Sequence, residues 1–370
     1  MHRDVLEKEI AVTRESGLDA LVAISPENFA YLTGFVVPSQ PILRWRHAAT
    51  VVTADGVTGV LSVDMEATTV RTRLPGVDVR VWEEFKGNAV AVLAELLRDL
   101  GLKAGRIGVE MDYIPARDME QLRSRLPSVR WESAEGLFDR MRMVKSPREV
   151  DLLRRLSRIT DGAIGSALGA VRAGDTELDL AAAVTGSLYA GGAEHHKLLI
   201  VATGERSRFP NVGPTDRVLS PGDLIRLEIF GVIGGYHAGV CRTAVVGEPS
   251  EEARQIYTTL VDCRRAVLEV LRPGASTRDV YRRYLEIFGT LGYDPIPFVG
   301  HGIGLQLHEA PYLGDGEDAR VEAGMAFGVE PLLYGPEFGL QIKDMVAVGA
   351  EAAEVLSDVT PVDALPEVPA

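Results

Sequence analysis

The chain has 370 residues, 46% of them hydrophobic and 25% charged, which suits a soluble globular protein long enough for two domains. Its 53 acidic and 39 basic residues leave a formal net charge of −14, a surface that repels nucleic-acid phosphates and anionic membranes. Two cysteines, Cys241 and Cys263, exclude a disulfide scaffold, and no apolar run reaches the roughly 18 residues of a spanning helix. The N-terminus lacks the apolar core of a signal peptide, so a cytoplasmic location is expected.

Residues 4–17 carry Val5, Leu6, Ile10 and Val12 among charges, the pattern of an amphipathic helix ending at Gly17. Ala20–Ile24 reads as a buried strand, and Pro26–Gly34 as a short helix closed by glycine. Strands follow at Ala48–Val52 and Gly59–Val63, then a helix at 88–101, a strand at Ile107–Glu110 and a helix at 115–126. This alternation predicts an α/β domain over residues 1–142. Ser146 caps the next helix, with Pro147 at its first position and Glu149 three residues after the cap. Helices at 147–171 and 177–191, strands at 196–247, helices at 250–272 and 276–291, and strands to about 356 predict an α+β domain over 146–358. The proline-rich tail, 359–370, reads as flexible.

Charged residues interrupt several apolar strands. Arg226 and Glu228 share one face of Leu224–Glu228, and His237, Gly239 and Cys241 share one face of the next strand. Glu330 sits before Pro331, and Lys343 shares a face with Gln341. Such charges are costly when buried unless paired, so Arg226, Glu228, Glu330 and Lys343 are expected to meet. His301 lies between two glycines, with His308 seven residues on.

These segments carry a resemblance. Pro221-Gly222-Asp223-Leu224, Gly235-Tyr236-His237, Arg242-Thr243, the run from Gly300 to Glu309 and Glu330-Pro331 resemble, in order, the pita-bread hydrolases: methionine aminopeptidase, aminopeptidase P, prolidase and creatinase. Tyr31–Phe35 resembles the smaller N-terminal domain of the prolidase and creatinase branch. The resemblance implies an α+β pita-bread domain preceded by a creatinase-type α/β domain. It also implies five metal-ligand positions, in the order Asp, Asp, His, Glu, Glu, which fall here on Glu228, Gly239, His301, Glu330 and Lys343. Gly239 and Lys343 supply no carboxylate, and the Lys343 ammonium repels a divalent ion. The metal-free creatinase keeps the equivalents of His301, His308 and Glu330, but has a histidine at the Asn211 position and a glutamate at the Cys241 position.

The function expected on these grounds is a metal-independent, creatinase-like hydrolase of a C–N bond in a small polar substrate, with no cofactor. Its catalytic candidates are His301, His308, Glu330, Glu228, Lys343 and Cys241, the last as a thiolate favoured beside Lys343. The substrate-binding candidates are Asn211, Arg226, His237, Arg44 and Arg46. In the creatinase-like branch the loop of Arg44 and Arg46 serves the neighbouring subunit's site, which implies a homodimer. Two alternatives are a non-catalytic binding module and a metal-dependent Xaa-Pro aminopeptidase or dipeptidase.

Overall fold

The computed structural model describes every residue except Glu317. The chain divides into two compact units, Met1–Arg142 and Met143–Ala370.

The N-terminal unit runs α1 (Arg3–Glu15), β1 (Ala20–Ala23), α2 (Pro26–Thr33), β2 (Ala49–Thr53), β3 (Thr58–Val63), α3 (Ala67–Arg73), β4 (Val79–Trp82), α4 (Ala89–Asp99), β5 (Gly105–Val109), α5 (Ala116–Arg125), β6 (Val129–Ser133) and α6 (Glu135–Met143). The strands form one sheet in the order β4-β3-β2-β1-β5-β6. β2 pairs antiparallel with both neighbours, and the outer pairs are parallel. Strand alternation splits the core in two. Leu61 and Val63 of β3 join Leu93, Leu96 and Leu97 of α4, whereas Val60 turns the other way to Phe29, Val70 and Leu74.

One buried acid makes this unit pH-sensitive. Glu9 on α1 is pushed up to about 8, first by burial and then by Glu110. Folded Glu9 keeps a proton that the unfolded chain releases above its ordinary value of 4.5, so stability falls as pH rises from 4.5 to about 8. Glu9→Gln should stabilise the unit at pH 8 by about 1–3 kcal/mol and leave it unchanged at pH 4. Urea midpoints at the two pH values check this.

The C-terminal unit runs α7 (Pro147–Ala170), α8 (Glu177–Ala190), β7 (His195–Thr203), β8 (Leu224–Ile233), β9 (Tyr236–Val246), α9 (Glu251–Val270), α10 (Thr277–Phe288), β10 (Phe298–Gly302), β11 (Glu309–Gly314), β12 (Ala326–Val329), β13 (Leu332–Tyr334), β14 (Gly339–Gln341), β15 (Asp344–Val348), β16 (Ala353–Val355) and β17 (Glu367–Val368). The expected box at the start of α7 is present: the Ser146 hydroxyl accepts from the Glu149 N–H while the Glu149 carboxylate accepts from the Ser146 N–H. Two main sheets form, β11-β10-β12-β15-β16 and β17-β9-β8-β7, with β13-β14 as a separate ribbon. Helices α9 and α10 bring Tyr257, Leu260, Tyr284 and Phe288 into one cluster with Phe327, Val329 and Val346 of the first sheet. Helix α7 packs on β8 and β9 of the second.

The tail corrects the expectation of flexibility. Val362, Leu365 and Val368 are buried, and β17 pairs parallel with the outer edge of β9. Its prolines suit an edge position, because the Pro366 carbonyl can still accept from the Val245 N–H at 2.9 Å.

Candidate active site

Register assembles the site where the two sheets of the C-terminal unit meet. On β8 and β9, Glu228 stands opposite Cys241 and Phe230 opposite Gly239, all on one face. Val329 of β12 pairs with Asp344 of β15, which sets Glu330 beside Lys343. Lys343 and Cys241 exchange two backbone hydrogen bonds, 3.0 and 3.2 Å, and so stitch β9 to the start of β15. His301 lies on β10 beside β12. Its flanking glycines allow close strand contact: a Cβ at Gly300 would fall 2.6 Å from the Gly328 carbonyl.

The Lys343 ammonium is the hub. Its Nζ lies 3.2 Å from Glu228 Oε1, 3.1 Å from Glu330 Oε2 and 3.1 Å from His301 Nε2, and 4.6 Å from the centre of the Phe230 ring. Lys343 and His301 are fully buried, and Glu228 and Glu330 nearly so. His301 Nδ1 donates to the Gly302 carbonyl, and its Nε2 faces both Lys343 Nζ at 3.1 Å and Glu330 Oε1 at 3.2 Å. The His308 ring stacks on that of His301 at 3.6 Å and 9°, and its Nδ1 meets Tyr312 Oη at 3.2 Å. Gln341 donates to Glu330 Oε2 at 3.0 Å.

This geometry fixes charge. Burial works to neutralise Lys343, but Glu330 and Glu228 outweigh it and hold the ammonium protonated. Burial also works to raise the Glu330 carboxyl, while Lys343 and His301 hold it well below the usual range. Loss of water around His308, then its neighbours His301 and Lys343, pull it down to about 4, so its ring is neutral at pH 7. The floor thus holds one fixed cation between two carboxylates, with a neutral imidazole at the rim. A cleft of about 280 Å³ opens over it, lined by Asn211, Glu228, His308, Glu330 and Lys343 and by apolar Leu198, Ile200, Phe298 and Leu332.

Three candidates are placed differently from their expected roles. Cys241 is fully buried, and burial followed by Glu228 pushes its thiol well above the ordinary value, so it holds no thiolate. Alternation gave its face but not its depth. Arg226 is also fully buried. Its guanidinium donates to the carbonyls of Ser207, Phe209 and Pro210 and to Gln341, fixing the loop that carries Asn211. His237 is bound to the Gly304 carbonyl through both its N–H, at 2.7 Å, and Nδ1, at 3.1 Å, and burial pulls it down to about 4. It shapes the turn after His301 rather than the cleft wall. Asn211 is exposed on that wall. Arg44 and Arg46 belong to the N-terminal unit, where Arg44 is exposed and Arg46 pairs with Glu84 at 2.8 Å.

Sequence reasoning missed the support beneath His308. Glu309 is buried, pairs with Lys145 at 2.9 Å and accepts from the N–H groups of Leu305 and Gln306. A lysine just before the α7 cap was the available signal. The aromatic rim of Phe298 and Tyr312 was missed too.

Residues 151–350 match the model of metallopeptidase family M24, and residues 6–144 match the creatinase/prolidase N-terminal domain. This chain belongs to metallopeptidase family M24. It is a dipeptidase- and prolidase-like hydrolase of that family, with a pita-bread domain behind a creatinase-type domain. Over 93% of the chain and 91% of the relative it is 31% identical to the probable dipeptidase PepE of Mycobacterium bovis. It is 25% identical to the Xaa-Pro dipeptidase of Pyrococcus furiosus over 96% of the chain and 98% of the relative. The solved dipeptidase PepE of Mycobacterium ulcerans superposes with a TM-score of 0.84 at 29% identity, over 99% of this chain and 98% of that one.

These relatives overturn the metal-independent, creatinase-like assignment. They are named dipeptidases and Xaa-Pro dipeptidase within a metallopeptidase family, and they support the metal-dependent dipeptidase alternative instead. The metal pair expected at the five ligand positions does not, however, fit the side chains present. A Cβ at Gly239 would lie 2.3 Å from the Phe230 ring, so that ring fills the room a second carboxylate needs. Lys343 puts a cation where the last ligand belongs.

Proposed function

We propose that this chain hydrolyses the amide bond of short peptides, Xaa-Pro dipeptides foremost. The observation that carries the proposal is the full-length match to dipeptidases, which spans both units. The cleft agrees in size and lining. At about 280 Å³ it lies at the small end of ligand pockets, which favours a dipeptide over a longer chain. Its Leu198, Ile200, Phe298 and Leu332 offer an apolar shelf for a proline ring.

The polar floor orients the scissile amide. Neutral His308 accepts from Tyr312 at Nδ1, and its Nε2–H is left to donate to the peptide carbonyl. Glu330, held ionised and lining the cleft, takes the proton of an attacking water and hands it to the departing nitrogen as the C–N bond breaks. Lys343 keeps Glu330 charged, pairs with Glu228 at 3.2 Å and supplies positive potential beneath the developing oxyanion.

The test is a panel of Ala-Pro, Leu-Pro, Ala-Leu and Leu-Leu, followed by mass spectrometry. Each peptide is run with Mn²⁺, Co²⁺ or Zn²⁺ and with EDTA. Release of free amino acids, fastest from the Xaa-Pro pair, is expected. No release from any peptide under any ion condition sinks the assignment.

A further inference from the structure

His301, His308 and Glu330 are, among the described residues, the one group of histidine, cysteine or acidic side chains whose ligand atoms could share an ion, all lying within 4.8 Å of one another. Two of those three donors are already engaged. Lys343 Nζ stands 3.1 Å from His301 Nε2 and 3.1 Å from Glu330 Oε2, and it also takes Glu228 at 3.2 Å. The third donor is badly aimed. His308 lies flat on His301, 3.6 Å away, so the in-plane lone pairs of the two rings lie in separate, near-parallel planes instead of converging on one point. The ammonium has no evident room to retreat. Phe230 covers it on one side, and a Cβ added at Gly328 would already lie 3.0 Å from Lys343 Cε.

We infer that Lys343 and a divalent ion compete for the same side chains, and that Lys343 keeps this centre closed to ions. The ammonium makes hydrogen bonds to both carboxylates that an entering ion would have to replace, and its charge repels that ion at contact distance. The proposal goes beyond the substrate assignment. Its readout is ion binding, so it fails separately from the peptide assay.

Chelator-treated full-length protein is titrated with Mn²⁺ and with Zn²⁺ by calorimetry, and melting temperatures are recorded with and without each ion. The wild type is expected to show no saturable binding at micromolar ion. Lys343→Gln removes the charge and keeps a polar side chain. It should bind one ion per chain, roughly 100-fold more tightly, and melt higher when the ion is added. Lys343→Arg keeps the cation and should gain nothing. Adding His301→Ala to Lys343→Gln should erase the gain. The inference is overturned by saturable micromolar binding to the wild type, by a folded Lys343→Gln that binds no better, or by a gain that survives loss of His301. If Lys343→Gln does not fold, the wild-type isotherm decides alone.

Discussion

Arg242→Met should destabilise the C-terminal unit by about 3–5 kcal/mol, the usual cost of removing one partner from a buried ion network. Arg242 is fully buried and pairs with Asp161 at 3.0 Å and Asp344 at 2.8 Å. It also donates to the carbonyls of Cys241 and Lys343, at 2.9 and 2.7 Å. Methionine fills much of the volume but leaves Asp161 with no cation, held only by the Val359 and Thr360 N–H groups, while Asp344 keeps Arg264 and the Ser357 hydroxyl. Arg242→Lys should not rescue, because one ammonium cannot reach two carboxylates and two carbonyls in the plane of a guanidinium. The check is the urea midpoint at unchanged slope. A loss below 1 kcal/mol would show that the network contributes little. Arg242 also holds the Lys343 backbone, so peptide hydrolysis should fall with stability.

Glu330→Gln should lower kcat/KM on the best peptide by about 10²–10⁴ while the chain stays folded. The amide is nearly the same shape, and Lys343 keeps Glu228 as a partner, so the fold loses little. What disappears is the one carboxylate that faces the cleft and is tied at once to Lys343, His301 and Gln341. Turnover is compared with the wild type at matched melting temperature. Full retained activity would move the reaction away from this cleft.

Much of the site was legible because buried charge demands a partner. Glu228, Glu330 and Lys343 stood out as ions inside apolar strands, and they do meet. The partners of Arg226 were not legible, because backbone carbonyls of the 207–210 loop leave no mark in sequence. Cys241 was misread for a related reason: period-two alternation tells which way a side chain points, not how much protein lies over it. In the fold, β4 and β6 escaped notice because charged residues on these edge strands, Arg80, Arg130 and Glu132, dilute their apolar pattern. The metal-independent, creatinase-like assignment is overturned by the relatives, which are named dipeptidases within a metallopeptidase family. The likeness spans both domains, and it points to peptide hydrolysis.

The short strand β17 has a consequence for how the protein behaves in solution. Glu367 and Val368 run along β9, and the Val245 and Gly247 N–H groups donate to the Pro366 and Val368 carbonyls. Those groups lie at the end of a long, buried strand. Stripped of its neighbour, β9 would present an adhesive border to other molecules, and pairing now made within one chain would be made between chains. Residues 366–368 thus cover that border from within the chain.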